Sequence, residues 1–538
     1  MIAKLLSIQS KTIGAAALVL GGSMLASRLL GLLRDRLLAS RFGAGEELDI
    51  YFAAFRIPDF IYGILIMGGF TAVFLPIFSE YFEKNKEEAF RMVSNLLNVL
   101  FLLLAGFALI LFIFMPFLIQ FVTPGFSNET REATIPLARL MLLSPILLGI
   151  SAVFSGMLQY FRKFLVYSLA PVLYNAGIIF GILFFVPAFG LIGLAWGVVL
   201  GAMLHFLIQI YPVFQSGFSF KNILSFFDPS LFRMARLTAP RIVGAAAFHV
   251  NLVVITALAS TLAVGSIAVL SFANNLHFLP IGVIGVSLAT AAFPLLSQAV
   301  ARKNDIEFQE SFLRAVRIIF FFIIPIASFM FLLRFHIIHL VLGTGEFGFA
   351  ETRLTAAVFG AFALGVFFQS LVPLFARAFY ALKDTKTPTL IGIAAVLSNV
   401  TMALTLLWIF SFPNVIQGFL VSFLEVADIE DARVLALPLA ISASVILQGF
   451  LLALFLKRKI GLNMRKISGP LNRIGVSGII MGIVSFFALK GAFFIFPLDT
   501  FWNILLQATI VVILGLGAYL GAAKLLGVKE LKLLPFFK

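Results

Sequence analysis

Residues 23–76 read SMLASRLLGLLRDRLLASRFGAGEELDIYFAAFRIPDFIYGILIMGGFTAVFLP, two apolar runs that carry Arg28, Arg34, Asp35, Arg36, Arg41, Asp49, Arg56 and Asp59 within or beside them. A charge at bilayer depth costs at least about 2.5 kcal/mol, so such residues face a bundle interior or a wet cavity. Here they are mostly cationic. The stretch therefore predicts a positively charged internal site in a membrane protein, suited to an anionic solute.

The rest of the chain supports that reading. Of its 538 residues 61% are hydrophobic and 12% charged, with a mean hydropathy of +1.10, outside the range of soluble domains. The 64 phenylalanines supply apolar bulk without polar atoms, which suits lipid-facing helices. The net charge of +15 comes from Lys and Arg in short loops between apolar runs, the positive-inside pattern and not a nucleic-acid face. No nucleic-acid partner is expected. The absence of cysteine excludes a disulfide framework and thiolate chemistry.

Apolar runs bounded by charge or by Gly/Pro turns give about fourteen candidate transmembrane helices. They span roughly 12–37, 48–79, 92–121, 133–158, 165–187, 190–215, 237–260, 266–299, 312–342, 354–380, 388–411, 432–456, 470–495 and 501–526. The expected fold is an all-α polytopic membrane protein. Alternate loops are rich in cations, among them Lys84, Lys86, Arg162, Lys163, Lys383, Lys386 and Lys457–Lys459, whereas the loop at 412–431 holds Glu425, Asp428, Glu430 and Asp431. Both termini are thus expected in the cytoplasm, with Arg34, Arg36 and Arg41 as an outer-side exception.

An internal repeat is visible. The run from Phe74 with Pro76 resembles the run from Ala292 with Pro294, and residues 159–163 with Asn175 echo 379–383 with Asn399. Two copies of six helices, roughly 220 residues apart, imply two lobes related by an axis along the membrane normal. The expected divisions are an N-terminal lobe 1–215, an amphipathic helical linker 216–236 on the cytoplasmic surface, a C-terminal lobe 237–457, and two additional helices with a tail over 458–538.

Arg28 and Arg34 lie roughly 9 Å apart along one helix and roughly 120° apart around it, so both can line a wide groove. Arginine suits diphosphate because its guanidinium fork donates several hydrogen bonds and stays charged. Snorkelling to the interface is the competing reading. Asp49, Arg56 and Asp59 share much of one helical face, and Arg56 with Asp59 is able to self-neutralise around Pro58. Asp35, Asp49 and Asp59 are the acids placed for coupling. In the second half Arg241, His249, Asn251, Asn274 and Asn275 are intramembrane polar residues, with helix packing as the alternative role. Arg377 reads as an interface anchor. Phosphate-binding glycine loops, HExxH and GxSxG are absent, so no enzyme, metal site or cofactor is expected.

At these residues the chain resembles the MurJ (MviN) lipid II flippase family, within the multidrug/oligosaccharidyl-lipid/polysaccharide exporter superfamily. The resemblance rests on Ser27-Arg28-Leu29-Leu30-Gly31 with Arg34-Asp35, on Phe42-Gly43-Ala44-Gly45 followed by Asp49, and on Phe55-Arg56-Ile57-Pro58. It continues through residues 72–76, Thr123-Pro124-Gly125-Phe126, Pro240-Arg241 and residues 377–388. It implies fourteen helices in two lobes around a cavity, and movement of lipid II to the outer leaflet of the bacterial plasma or inner membrane for peptidoglycan synthesis. It also implies that Arg28, Arg34 and Asp49 occupy positions that matter for activity, with Ser27 beside the first arginine.

The chain departs from the family in two places. Tyr62-Gly63 stands where characterised members have an arginine in span 2, and Asn274-Asn275 stands where they have Asp-Arg. Spans 7 and 11 hold no Asp or Glu, the residues through which some members bind sodium. Arg56 and Arg241 are then expected to compensate in substrate binding, and Asp49, Asp35, Asn274 and Asn275 to serve coupling or gating. The expected partners are lipid II and membrane lipids, for a monomeric protein. The rivals are an exporter of another polyprenyl-linked glycan or of a drug, and a membrane enzyme acting on polyprenyl phosphates.

Overall fold

The computed structural model describes residues 13–64, 70–429, 431–461, 465–498 and 500–534; within them the side chains of 13–18, 71–72, 240–241, 243, 245, 416 and 465–467 stand outside the description. Among the described residues the protein is all helical, without a strand. By contacts it forms two compact units, Met1–Ala268 and Val269–Lys538.

In the first unit the helices are α1 (Ile13–Phe42), α2 (Glu46–Ala54), α3 (Arg56–Tyr62), α4 (Phe70–Lys84), α5 (Lys86–Val122), α6 (Asn128–Met141), α7 (Leu143–Tyr160), α8 (Phe164–Phe180), α9 (Val186–Phe189), α10 (Ile192–Gln215) and α11 (Pro229–Ser260). Helix α12 (Ser266–Pro280) begins there. The second unit continues with α13 (Ser287–Ala301), α14 (Asp305–Leu332), α15 (Arg334–Leu342), α16 (Phe349–Ala381), α17 (Lys386–Phe410), α18 (Val415–Phe423), α19 (Ala436–Ile460), α20 (Arg465–Ile495) and α21 (Phe501–Leu525).

Eleven helical stretches among the described residues, beginning with Lys86–Val122 and ending with Phe501–Leu525, are long and apolar enough to cross a membrane. The expected spans that fall outside this set are those of α1, of α2 to α4, and of α11, which carry the arginines and aspartates of interest. Helices α2, α3 and α4 are each shorter than a single span, and the apolar stretch of α11 described in full is Ala246–Ser260. The other expected spans are helical, with breaks at Leu142 and Leu333 inside 133–158 and 312–342 and with helix α14 starting earlier, at Asp305, because apolar runs of this length must be helical to satisfy their backbone in lipid.

Breaks in the helices have local causes. Pro58 lacks an N–H and its ring crowds the carbonyl of Ala54, so the helix interrupts at Phe55 and restarts at Arg56. In α8 and α10 the glycines 177 and 181 face 201 and 197. A Cβ at Gly177 would lie 2.4 Å from the Gly201 backbone, so only glycine permits this approach.

The linker departs from expectation. Residues 218–225 are irregular, and helix resumes only at Pro229, capped by the Asp228 side chain. Neighbouring side chains take the backbone groups that a helix would have used. Asn95 bonds both the N–H and the carbonyl of Ser225, Asn98 Nδ2 donates to the Ile223 carbonyl at 2.8 Å, and Ser94 Oγ accepts from Lys221 N–H at 3.1 Å. Helix α11 packs on α3, α4 and α5, within the first unit.

One helix-terminating motif recurs along the chain. Lys163 N–H bonds the Leu158 carbonyl and Asp384 N–H bonds the Phe379 carbonyl, each at 2.9 Å, with Arg162 and Lys383 left-handed at φ 56° and 59°. The same motif ends helices at Asn304, Val426 and Val528. Among the described residues π-helical turns occur at 63–64, Gly181–Phe185 and Ile281–Val286.

Candidate functional site

The polar residues of the opening stretch gather along α1, α2 and α3. On α1, Ser27 and Arg34 are two turns apart and meet the same side chain, Asn175 of α8. Asn175 Nδ2 donates to Ser27 Oγ at 3.3 Å, and Arg34 Nη1 donates to Asn175 Oδ1 at 3.2 Å. Arg34 also forks onto one oxygen of Asp35 at 2.9 and 2.7 Å, with 22% of the arginine and 5% of the aspartate side chain exposed. Arg34 is therefore largely neutralised within the protein. Arg28, partly exposed one residue from Ser27, makes no hydrogen bond or ion pair with the described residues. Tyr51 and Tyr174 stand within electrostatic reach of Arg34 and Asp59. Of these groups Arg28 is the cation left without a described partner, and a guanidinium is suited to phosphate oxygens.

Asp49 occupies a different place. It is 4% exposed, and its carboxylate accepts from Gly265 N–H at 2.7 Å and Ala268 N–H at 2.8 Å. It thereby caps the start of α12, where unpaired N–H groups and the helix dipole favour an anion. Seven residues on, Arg56 Nε donates to Thr256 Oγ1 at 2.7 Å, while that hydroxyl donates to the Leu252 carbonyl at 2.9 Å. After another seven, a Cβ at Gly63 would lie 1.7 Å from His249 Nε2, so the imidazole fills the space above this glycine. Residues 49, 56 and 63 thus make a seam of three contacts along α11 and the loop after it. Asp59 is exposed and within electrostatic reach of Arg56 and Arg34.

Motifs that are far apart in sequence close one end of this seam. Gly265, at φ +88°, packs so tightly on the Ala44 carbonyl that a Cβ would lie 1.9 Å from it. Gly125 N–H bonds Ser260 Oγ at 3.1 Å, and Thr130 donates to Glu46. At the opposite end Arg233 pairs with Glu80 at 2.8 Å and Tyr160 bonds Glu83 at 2.8 Å.

Other expected residues lie elsewhere. Arg41 Nη1 donates to the Ile182 carbonyl at 3.2 Å, a group freed by the π turn at Gly181–Phe185. In the second unit the Asn274 carbonyl faces His277 Nδ1 at 3.2 Å, Asn275 is partnered, and Arg377 donates to the Val286 carbonyl at 3.0 Å. The Arg241 side chain lies outside the described residues. A separate apolar groove of about 450 Å³ lies between α14, α16 and α20, lined in part by Phe331, Leu364, Gly475, Gly478 and Gly482.

Sequence reasoning noticed Asn175 only as a repeat marker and passed over Tyr51, Tyr174 and Thr256. For Thr256, a single hydroxyl in an apolar run, no local signal exists.

A family model described as "Lipid II flippase MurJ" matches residues 38–502. A probable lipid II flippase MurJ of Borreliella burgdorferi is 28% identical over 362 residues, covering 67% of this chain and 71% of the relative. Among solved structures, a lipid II flippase MurJ in an inward closed conformation superposes with a TM-score of 0.75 at 24% identity, covering 94% of this chain and 99% of that one. An inward-facing multidrug resistance MATE transporter of the MOP superfamily gives 0.68 at 17% identity, over 84% of this chain and 99% of its own.

Proposed function

The chain belongs to the lipid II flippase MurJ family, and from that membership we propose that it carries lipid II, the polyprenyl-pyrophosphate-linked peptidoglycan precursor, from the inner to the outer leaflet of a bacterial membrane. Members of this family are transporters, not enzymes. The observation that carries the proposal is Arg28. A guanidinium inside a membrane helix with no partner among the described residues is tolerable beside a water-filled space or a bound anion. Ser27, Asn175 and Arg34 stand next to it.

In this reading α1, α2 to α4, and α11 cross the membrane with the eleven apolar spans, giving fourteen. The lobes 1–215 and 237–457 of the repeat move in alternating access, with 216–236 as the link and 458–538 as an addition. Both termini are cytoplasmic. Arg28, Arg34 and Ser27 bind the pyrophosphate, joined by Arg56 and Arg241 when the seam opens. Asp35 balances Arg34, and Asp49 is the gating carboxylate on the outer end of α12, with Asn274 and Asn275 as neutral polar groups nearer the middle of that helix. The apolar groove on α20 has the size and chemistry for part of a prenyl chain.

Complementation of a conditional lipid II flippase depletion, paired with a leaflet-accessibility assay on lipid II, tests the proposal. Rescue of growth with outward movement is expected. Failure of both at normal membrane abundance refutes it.

A further inference from the structure

Gly63 and His249 serve none of the roles above, yet their contact is the tightest side-chain approach on the seam. The imidazole edge lies where a Cβ at 63 would be, at 1.7 Å from Nε2 and 2.1 Å from Cε1. The ring is partly buried, makes no hydrogen bond with the described residues, and lies within electrostatic reach of Arg56. Polar recognition therefore does not explain its place. Shape does.

The spacing explains what the shape accomplishes. Arg56 and Gly63 are seven residues apart on one side, and Thr256 and His249 are seven apart on the other, about 10.5 Å in each helix. The two contacts run antiparallel and register with each other. A hydrogen bond at the end of a long, flexible side chain does not by itself fix the register of two backbones. With a ring seated in a notch two turns away, the backbones cannot slide without a steric clash.

We propose that His249 is a positioning residue for Arg56: its ring, seated in a notch that only glycine at 63 leaves open, sets the register of the seam and so holds Arg56 on Thr256 in this conformation. The link to transport rests on the flippase reading. The seating of the ring does not.

The test uses the full-length chain, which has no cysteine, with one introduced by Ala259→Cys at a site that is 1% exposed. Maleimide labelling of that thiol in detergent, without substrate, reports opening of the seam, and lipid II movement in proteoliposomes reports function. Gly63→Ala is expected to raise labelling and lower the transport rate, each about tenfold, as overpacking of this size does. His249→Ala alone, which removes the ring, is expected to raise labelling as well; in the Gly63→Ala background it relieves the clash, so the double variant labels no more than His249→Ala alone, whereas His249→Gln alone, which keeps the length, leaves labelling near the parent. Gly21→Ala, where a Cβ meets nothing, controls for an added methyl group.

Labelling unchanged by Gly63→Ala, or effects of Gly63→Ala and His249→Ala that simply add, overturn the proposal. If Gly63→Ala does not accumulate, recovery of the double variant supports it and failure to recover overturns it. A flat labelling pattern with normal parental transport condemns the seat alone; the expected labelling pattern with no transport of lipid II by the parent condemns the flippase reading alone.

Discussion

Arg28 and Arg34 lie six residues apart on α1 and differ in how their charge is met. Arg34 is held by Asp35 and Asn175, whereas Arg28 meets no partner among the described residues. Their alanine variants should therefore fail in different ways. Arg28→Ala is expected to abolish lipid II movement with thermal stability unchanged, because it removes only a group that awaits a ligand. Arg34→Ala should abolish movement and also destabilise by about 1.5–3 kcal/mol, since it removes the charge-assisted hydrogen bonds that Arg34 gives the buried Asp35 carboxylate. Thermal unfolding in detergent together with the leaflet assay distinguishes them. Equal stability of the two variants would contradict the pairing. Arg28→Lys should restore only part of the activity, for it keeps the charge and loses the fork. Both arginines were legible from the sequence as charges in an apolar run. That Arg34 is already satisfied was not, because Asn175 lies 141 positions away.

Between helices, turns carry the order. Asp384, in the turn from α16 to α17, accepts from Thr387 N–H at 3.0 Å and Thr387 Oγ1 at 2.8 Å, and pairs with Lys459 at the end of α19. Burial pushes its carboxyl up, but the bonds from Lys459 and Thr387 outweigh that and hold it at about 2. A depressed carboxyl stabilises the fold above its unfolded value, near 4, and loses that contribution as pH falls toward 2. With Lys459 40% exposed, screening limits the effect to about 1 kcal/mol. Asp384→Asn is thus expected to lower the melting temperature at pH 7 and to match the parent near pH 2; an equal deficit at both would remove the ion pair from the account. The groove on α20 gives a second test at this scale. Gly482→Leu has room for its Cβ and places bulk in the groove, so lipid II movement should fall while movement of a short-chain analogue is spared. Equal loss for both would separate the groove from the prenyl chain.

For the molecule as a whole, sidedness and coupling are the open properties. Single cysteines introduced at 84 and 428 should be, respectively, protected from and labelled by an impermeant reagent in intact cells. The reverse pattern would invert the topology. Spans 7 and 11 hold no carboxylate, so a tight sodium site there would rest on neutral oxygens alone. Transport is therefore expected to follow membrane potential or pH and to survive sodium replacement, and Asp49→Asn should impair it more than Asn274→Ala. Loss of transport on sodium removal at fixed potential would refute this. By itself the sequence determined the all-α membrane class, the apolar helical runs and the presence of cations in α1, because a bilayer leaves an apolar run one backbone solution and makes every buried charge conspicuous. It did not reveal the irregular linker, whose backbone is bonded by Asn95 and Asn98 more than a hundred residues earlier. Nor did it reveal that Asp49, Arg56 and Gly63 form one seam with α11 and the start of α12. Those contacts join positions about 190 to 220 residues apart, and no local pattern records which backbone N–H, hydroxyl or ring the tertiary structure will bring to them.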